Sequence, residues 1–445
     1  MRIGELDQIV TQIDKDASAG LSDAVWTRVE SLLRDQQGDE GTALALVAIV
    51  ERGHLSVDKA LTVLAEVHAA HSRNESVLGV LADALDKARD IDLLNDAPPE
   101  HPLFLNVVSA LSDLSDKAKG GESEALLLQG LSTAARMMGR QKDDVVERCC
   151  RRLIELNPKA SNLQYNFGLF LKTRGRFREG MIANQAAENL AGERPESYEW
   201  NLGICATGAG EGAEALRVWK RLGQKLEMGR FDLPDGSYPH CKVRLAQRPL
   251  AERSADSDDP GLEETIWIER LSPCHGIVRS VLYQDLGVDY GDVVLFDGAP
   301  ITHHTYGDRQ IAVFPHLATL VRHHYRLFDF GGTQKSKGQI ADATDALERD
   351  AIVYAHSENF IQLCAKCWRN PEVDHEHHGV VEKHVVTGRI AAPADFDPRE
   401  LLRQLDAAIA KRETCRIYVP DLCEAAGLSE RAAFERRRFE MIRSG

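Results

Sequence analysis

The chain reads as multidomain: an all-α helical array over its first half, then an α+β domain built on a small antiparallel sheet or open barrel. Three observations predict this. Apolar residues recur at three- and four-residue spacing as far as residue 228, as in Leu61, Val63, Leu64 and Val67. Beyond Phe231-Asp232-Leu233-Pro234-Asp235-Gly236 that texture gives way to short alternating runs bounded by turn residues. The length, 445 residues, also exceeds what one ordinary core supports.

In the first half, helices are separated by stop and start signals at Gly20-Leu21-Ser22-Asp23, Gln37-Gly38-Asp39-Glu40-Gly41, Ser56-Val57-Asp58 and Pro98-Pro99. Later, Tyr165-Asn166-Phe167-Gly168 is echoed thirty-five residues on by Trp200-Asn201-Leu202-Gly203. Twelve residues past each glycine comes another small residue, Gly180 and then Ala215. Pro158 and Pro195 close helices at similar places. Over residues 125–229 this resembles the tetratricopeptide repeat, in which small residues stand where two helices cross. The aromatic lies one position closer to the glycine than in that family, and Leu222 stands where the family has a small residue. The resemblance implies a right-handed superhelix whose concave face binds a peptide or protein, and it implies no catalysis. The expected division is 1–124 as degenerate helical repeats, 125–230 as the recognisable ones, and 231–445 as the α+β domain.

In that last domain strands are expected at Cys241 to Leu245, Thr265 to Glu269, Gly276 to Leu282, Asp292 to Phe296, Gln310 to Phe314 and Tyr325 to Phe330. The acidic, apolar-poor stretch 254–261 reads as a disordered loop or linker. Helices follow at Ile340 to Leu347, Asn359 to Trp368, Pro398 to Lys411 and Leu428 to Ile442. Strands are expected at Val380 to Arg389 and Arg416 to Val419.

Composition excludes several classes. Hydrophobic residues at 43% and charged residues at 28% are those of a soluble globular protein. A net charge of -15 opposes broad phosphate binding, so no nucleic-acid partner is expected. The basic run Arg436-Arg437-Arg438 reads as a solvated helix end. No apolar run is long enough to span a membrane, and the first residues lack a secretory core segment. Nine cysteines without a framework point to reduced thiols in a bacterial-type cytoplasm.

Twelve of the sixteen histidines fall between His240 and His384. The densest knot is Cys364-Ala-Lys-Cys367 followed by His375, His377, His378 and His384. On the expected helix, Cys364 and Cys367 share one face, and Asn370-Pro371 lets the chain fold back over it. Two thiolates and two imidazoles make a tetrahedral structural zinc site, for which Cys364, Cys367, His375 and His378 are the candidate ligands. His377 is an alternative to His378, and His384, His356 or Cys274 could supply an outside ligand. The bland alternative is a pair of packed cysteines beside a solvated loop. A redox Cys-x-x-Cys expects a strand before it, and here the motif sits within the expected helix.

Elsewhere, Cys274-His275 on a Pro/Gly turn is an exposed thiol that needs His304 or His316 as base to act as a nucleophile. His303, His304 and His316 with Asp292 and Asp297 form a possible second His/carboxylate set. Phe330 to Gly338 has the composition of a phosphate loop without its order. Together these features describe a scaffold or adaptor that binds a protein or peptide through its helices. The alternative is a metal- or cysteine-dependent hydrolase or peptide-modifying factor that recruits a protein substrate through them.

Overall fold

The computed structural model describes residues 11, 23–35, 39–52, 55–90, 97–193, 195–254, 257–306, 309–345, 347, 351–364, 380–412 and 414–444. It divides into two compact units. The first contains residues 1–171, 182–198 and 253–258; the second contains 172–181, 199–252 and 259–445.

In the first unit the apolar spacing becomes helices α1 (Asp23–Asp35), α2 (Glu40–Glu51), α3 (Val57–His71), α4 (Glu75–Asp90), α5 (Pro102–Lys117), α6 (Glu124–Arg136) and α7 (Asp143–Leu156). From α1 to α4 each helix packs on the next and on the next but one, and α5, α6 and α7 pack in succession. Nearest-neighbour packing of this kind is how a helical array buries a continuous core from short elements. One cluster runs through it, from Val29 through Leu64, Leu81, Phe104 and Leu131 to Leu171. Pro102 opens α5 at a position that has no intrahelical N–H partner to lose, and the His101 side chain accepts the Leu103 N–H at 3.3 Å.

The repeat seen in the sequence is a pair of helical hairpins, α8 (Ser161–Thr173) with α9 (Phe177–Leu190) and α10 (Glu196–Gly208) with α11 (Gly212–Arg221). Gly168 lies against Asn184, and Gly203 lies against Trp219. A Cβ on Gly203 would stand 2.6 Å from the buried Trp219 ring. The side chain facing each glycine therefore sits sixteen positions on. Gly180 and Ala215, twelve positions on, are buried as well.

In the second unit, β1 (Glu227–Met228) and β2 (Pro234–Asp235) pair across a turn in which Phe231 and Asp232 both take left-handed backbone, at φ 63° and 55°. Five strands then close a barrel: β3 (Cys241–Ala246), β4 (Glu263–Arg270), β5 (His275–Val278), β6 (Val293–Phe296) and β8 (Arg309–Val321). β7 (Thr302–Tyr306) hangs on β8 as a hairpin partner. An up-and-down run of five strands brings the last back parallel to the first, and Lys242 to Arg244 pair in parallel with Val313 to Pro315. The barrel is closed, which corrects the expected small sheet or open barrel. The expectation missed closure because Pro315 looked like the end of a strand. The strand instead runs through Pro315 to Val321, long enough to pair with β7, β3 and β6.

Cys241, Val243, Leu245, Ile266, Ile268 and Phe296 fill the barrel. Its outer face at Leu295, Leu317 and Cys274 is covered by Ile204, Ala215 and Trp219 of α10 and α11. Burial on both faces explains why β6 is the uninterrupted run Val-Val-Leu-Phe. Lys172 of α8 reaches Asp297 just after β6 at 2.7 Å, and both are largely buried.

A second sheet follows, in the order β10-β11-β9-β12, from β9 (Arg326–Gln334), β10 (Ile352–Cys364), β11 (Val380–Ala392) and β12 (Arg416–Tyr418). All its pairings are antiparallel. One face carries Phe328, Phe330, Val386 and Ile390 against α12 (Gln339–Thr344), α13 (Pro398–Ala410) and α14 (Pro420–Ala425). Helix α15 (Ser429–Ser444) covers the other, with Phe439 and Ile442 over the bare backbone of Gly331. The helix expected at Asn359 to Trp368 is not formed at its start. Ile352–Cys364 is a strand, and its register with β11 runs to Cys364 opposite Val380. Its apolar residues fall at both odd and even positions, Phe360 with Ile361 and Leu363 with Cys364, which hides the two-residue period of a strand.

The stretch read as a disordered acidic loop is anchored where it is described. The buried Arg140 side chain donates to Asp258 Oδ1 at 2.8 Å and to the Arg253 carbonyl at 3.2 Å.

Candidate functional site

A cleft of about 870 Å³ lies in the first unit, formed by α5, α6 and α7. Its volume falls within the range of ligand sites, but such sites are ordinarily apolar with a few polar anchors. Here Leu128 and Leu131 of α6 are the apolar floor, and the walls are charged. Helix α7 supplies most of the charge because its sequence, DDVVERCCRRLIEL, puts Val145, Val146, Cys149 and Leu153 into the core and turns the rest outward.

Part of this charge is neutralised within the wall. Arg152 donates from Nε to Glu124 Oε1 at 2.8 Å and from Nη1 to Glu155 Oε2 at 3.0 Å. Glu124 also accepts the Gly120 N–H at 2.6 Å. The Arg152 guanidinium, with that amide, holds the Glu124 carboxyl below the usual carboxylate range. Arg151 likewise pairs with Glu147 at 2.6 Å. Four lining side chains have no hydrogen-bond or ion-pair partner among the described residues: Asp116 and Lys119 beside α5, and Asp144 and Arg148 on α7. Each of the two walls thus presents an acid and a base outside any hydrogen bond or close ion pair, with Lys119 also acting on Glu124 through space. Sequence reading missed this cleft. The signal available was the density of charge on α7, which by itself also describes any solvated helix face.

The metal candidates divide. Cys364 is the last residue of β10, while Cys367, His375, His377 and His378 lie outside the described residues. Strand β9 ends opposite His384, so the pairs from Ile361 with Lys383 to Cys364 with Val380 continue the β10–β11 hairpin beyond its neighbour. His384 lies four residues back from Val380, about 13 Å at strand rise, and its Nε2 faces Glu358 Oε2 at 3.8 Å. His356 packs between the rings of Tyr283 and Tyr354. Among the described residues no three His, Cys, Asp or Glu side chains gather closely enough to hold an ion.

Cys274 and His275 are wholly buried, which corrects the exposed turn read from the sequence. Ser272 folds the dipeptide inward: its Oγ accepts the amides of Cys274 and His275, each at 3.2 Å, and bonds His275 Nδ1. Burial pushes the Cys274 thiol up to about 11 and the His275 imidazole down to about 4. A thiol so placed stays protonated at neutral pH and is a poor nucleophile. His304 Nδ1 meets Lys242 Nζ at 3.2 Å; His316 Nδ1 accepts the Ala246 amide at 3.4 Å. Asp292 accepts the His323 amide at 2.7 Å, and Asp297 pairs with Lys172. The residues expected to form a second His/carboxylate site are thus dispersed to separate partners. The loop after β9 places Gln339 Oε1 against the amides of Lys335 and Ser336, where a phosphate loop would leave such amides open.

No helix among the described residues is long and apolar enough to cross a membrane. No protein-family model matches the chain, and no curated protein matches it. Among solved structures, MamA AMB-1 aligns at 19% identity over 40% of this chain and 86% of its own, with a TM-score of 0.28. Another MamA crystal structure aligns at 18% identity over 41% of this chain and 90% of its own, with a TM-score of 0.29. A TM-score of that size establishes no shared fold.

Proposed function

We propose that the protein is an interaction scaffold of the cytoplasm whose helical array binds a segment of a protein partner in the α5–α7 cleft. The observation that carries this is the set of charges without a hydrogen bond or close ion pair among the described residues, Asp116, Lys119, Asp144 and Arg148, above an apolar floor. A segment bearing both signs of charge and a few apolar side chains complements such walls, and charge complementarity chiefly sets specificity and encounter rate. The resemblance of residues 125–229 to peptide-binding helical repeats points the same way. In this reading the α+β part supplies a second interface. Its arm is capped by a structural zinc ion held by Cys364, Cys367, His375 and His378.

Panning a random peptide library against the full chain tests the assignment. Enriched peptides are expected to bind the double variant Lys119→Glu with Arg148→Glu at least tenfold more weakly, about 1.4 kcal/mol. They are also expected to lose affinity with rising salt. Peptides that bind the variant as well as the wild type would place the interaction elsewhere and sink the reading.

A further inference from the structure

Arg389 stands on β11, and its guanidinium serves two β modules at once. Its Nε donates to Asp329 Oδ1 on β9 at 3.0 Å, within its own sheet. Its Nη1 donates to the carbonyl of Leu282, in the connection between barrel strands β5 and β6, at 3.0 Å. The same Nη1 lies 3.7 Å from Asp289 Oδ2 in that connection, too long for a hydrogen bond.

Asp289 is unevenly satisfied. Its Oδ1 accepts the amides of Leu282 at 3.1 Å and Tyr290 at 2.7 Å. Its Oδ2 is buried and accepts nothing among the described residues. A buried anionic oxygen without a donor is costly, and the cost vanishes when the oxygen carries a proton or regains water.

We propose that Asp289 and Arg389 form a proton-operated clasp between the barrel and the C-terminal sheet, closed when Asp289 is protonated and loosened when it ionises. Loosening lifts the 282–292 connection from β11 and rehydrates Oδ2, leaving Arg389 to Asp329.

The charged surroundings act in both directions. Burial, the dominant influence, pushes the Asp289 carboxyl up to about 6. Asp292 on the same connection pushes it further up, and the two amides and Arg389 oppose. From β10 comes His356, whose imidazole is lowered by burial. From β4, Glu264 holds the start of the connection through the amides of Tyr283 and Gln284. The closed clasp holds its proton more tightly than the open one, so acid closes it. The dependence spans the interval between the ordinary aspartate value and about 6, and it is flat above that.

Hydrogen exchange of amides 282–292 in the full chain, corrected for intrinsic rates, tests the clasp. Opening is expected to be roughly twenty-five-fold more frequent at pH 7 than at pH 4.5. Asp289→Asn should stay closed at both values. Asp292→Asn should keep the transition and move its midpoint to lower pH. His356→Asn should steepen the acid closure, because an imidazole lowered by burial opposes it. Equal opening of the wild type at both pH values overturns the proposal, as does a pH dependence that survives in Asp289→Asn. A midpoint that Asp292→Asn does not move also overturns it, and that variant carries the test if Asp289→Asn fails to fold.

Discussion

Gly203 sets the closest approach in the second helical hairpin, because the wholly buried Trp219 ring occupies the space its side chain would need. Two effects compete in Gly203→Ala. Alanine gains about 1 kcal/mol of helix propensity over glycine, whereas overpacking a rigid core site costs about 1–3 kcal/mol. The ring is held by its Nε1 donating to Thr207 Oγ1 at 3.4 Å and by Trp200 packed edge-on at 5.1 Å, so overpacking should win. The expected outcome is a net loss of about 1–2 kcal/mol in urea unfolding, partly recovered by adding Trp219→Phe. A neutral or stabilising Gly203→Ala would show that the hairpin relaxes freely and that the glycine is not needed. The glycines were legible from their thirty-five-residue spacing. Their neighbours were not, since a repeat shows which positions recur and leaves the rotation of the second helix open. Cys274 shows the same limit. Its Pro/Gly setting reads as an exposed turn until Ser272 is seen to satisfy the turn's amides from inside.

At the level of elements, most strands and helices of the second half lie within a few residues of their expected places, because alternation and turn residues are local signals. What the sequence could not show was pairing. Closure of the barrel depends on residues about seventy apart, Lys242 and Val313, and the Pro315 within β8 hid its length. The helix expected around Cys364 shows how the period can be misread when apolar residues fall at both odd and even positions. The β10–β11 register brings Cys364 opposite Val380, and the zinc proposal concerns the chain between them, which lies outside the described residues. Elemental analysis of the purified full chain should find about one zinc per chain and almost none in the variant Cys364→Ser with Cys367→Ser. Chelation should lower the thermal midpoint of the wild type and leave that variant unchanged. A wild type free of zinc when purified, with no thermal shift on adding the ion, would eliminate the site.

Across the whole molecule, charge is spread so that acid acts on the second unit through opposing groups. His275 and His316 are buried in the barrel, and burial lowers both to about 4 from an ordinary value of 6.5. Below pH 6.5 the unfolded chain takes up protons at these positions while the folded barrel does not. Stability therefore falls from pH 6.5 down to about 4 and levels off below it. Each histidine contributes at most about 3 kcal/mol to that fall, from 1.36 kcal/mol per pKa unit. Asp289 has the opposite sign. Its folded value of about 6 lies above the ordinary 3.8, so the folded state binds the proton more tightly and gains stability as pH drops between those values. Three buried groups thus leave a net acid loss about the size of one histidine. Urea unfolding followed by tryptophan fluorescence at pH 7, 5.5 and 4 should show that moderate loss in the wild type. Asp289→Asn should be more stable than the wild type at pH 7 and lose stability more steeply toward pH 4, because the compensating proton is gone. His316→Gln should flatten the acid limb, even though losing the Ala246 and Thr319 contacts lowers its stability at pH 7. An acid limb of the same slope in all three proteins would mean that other groups govern it.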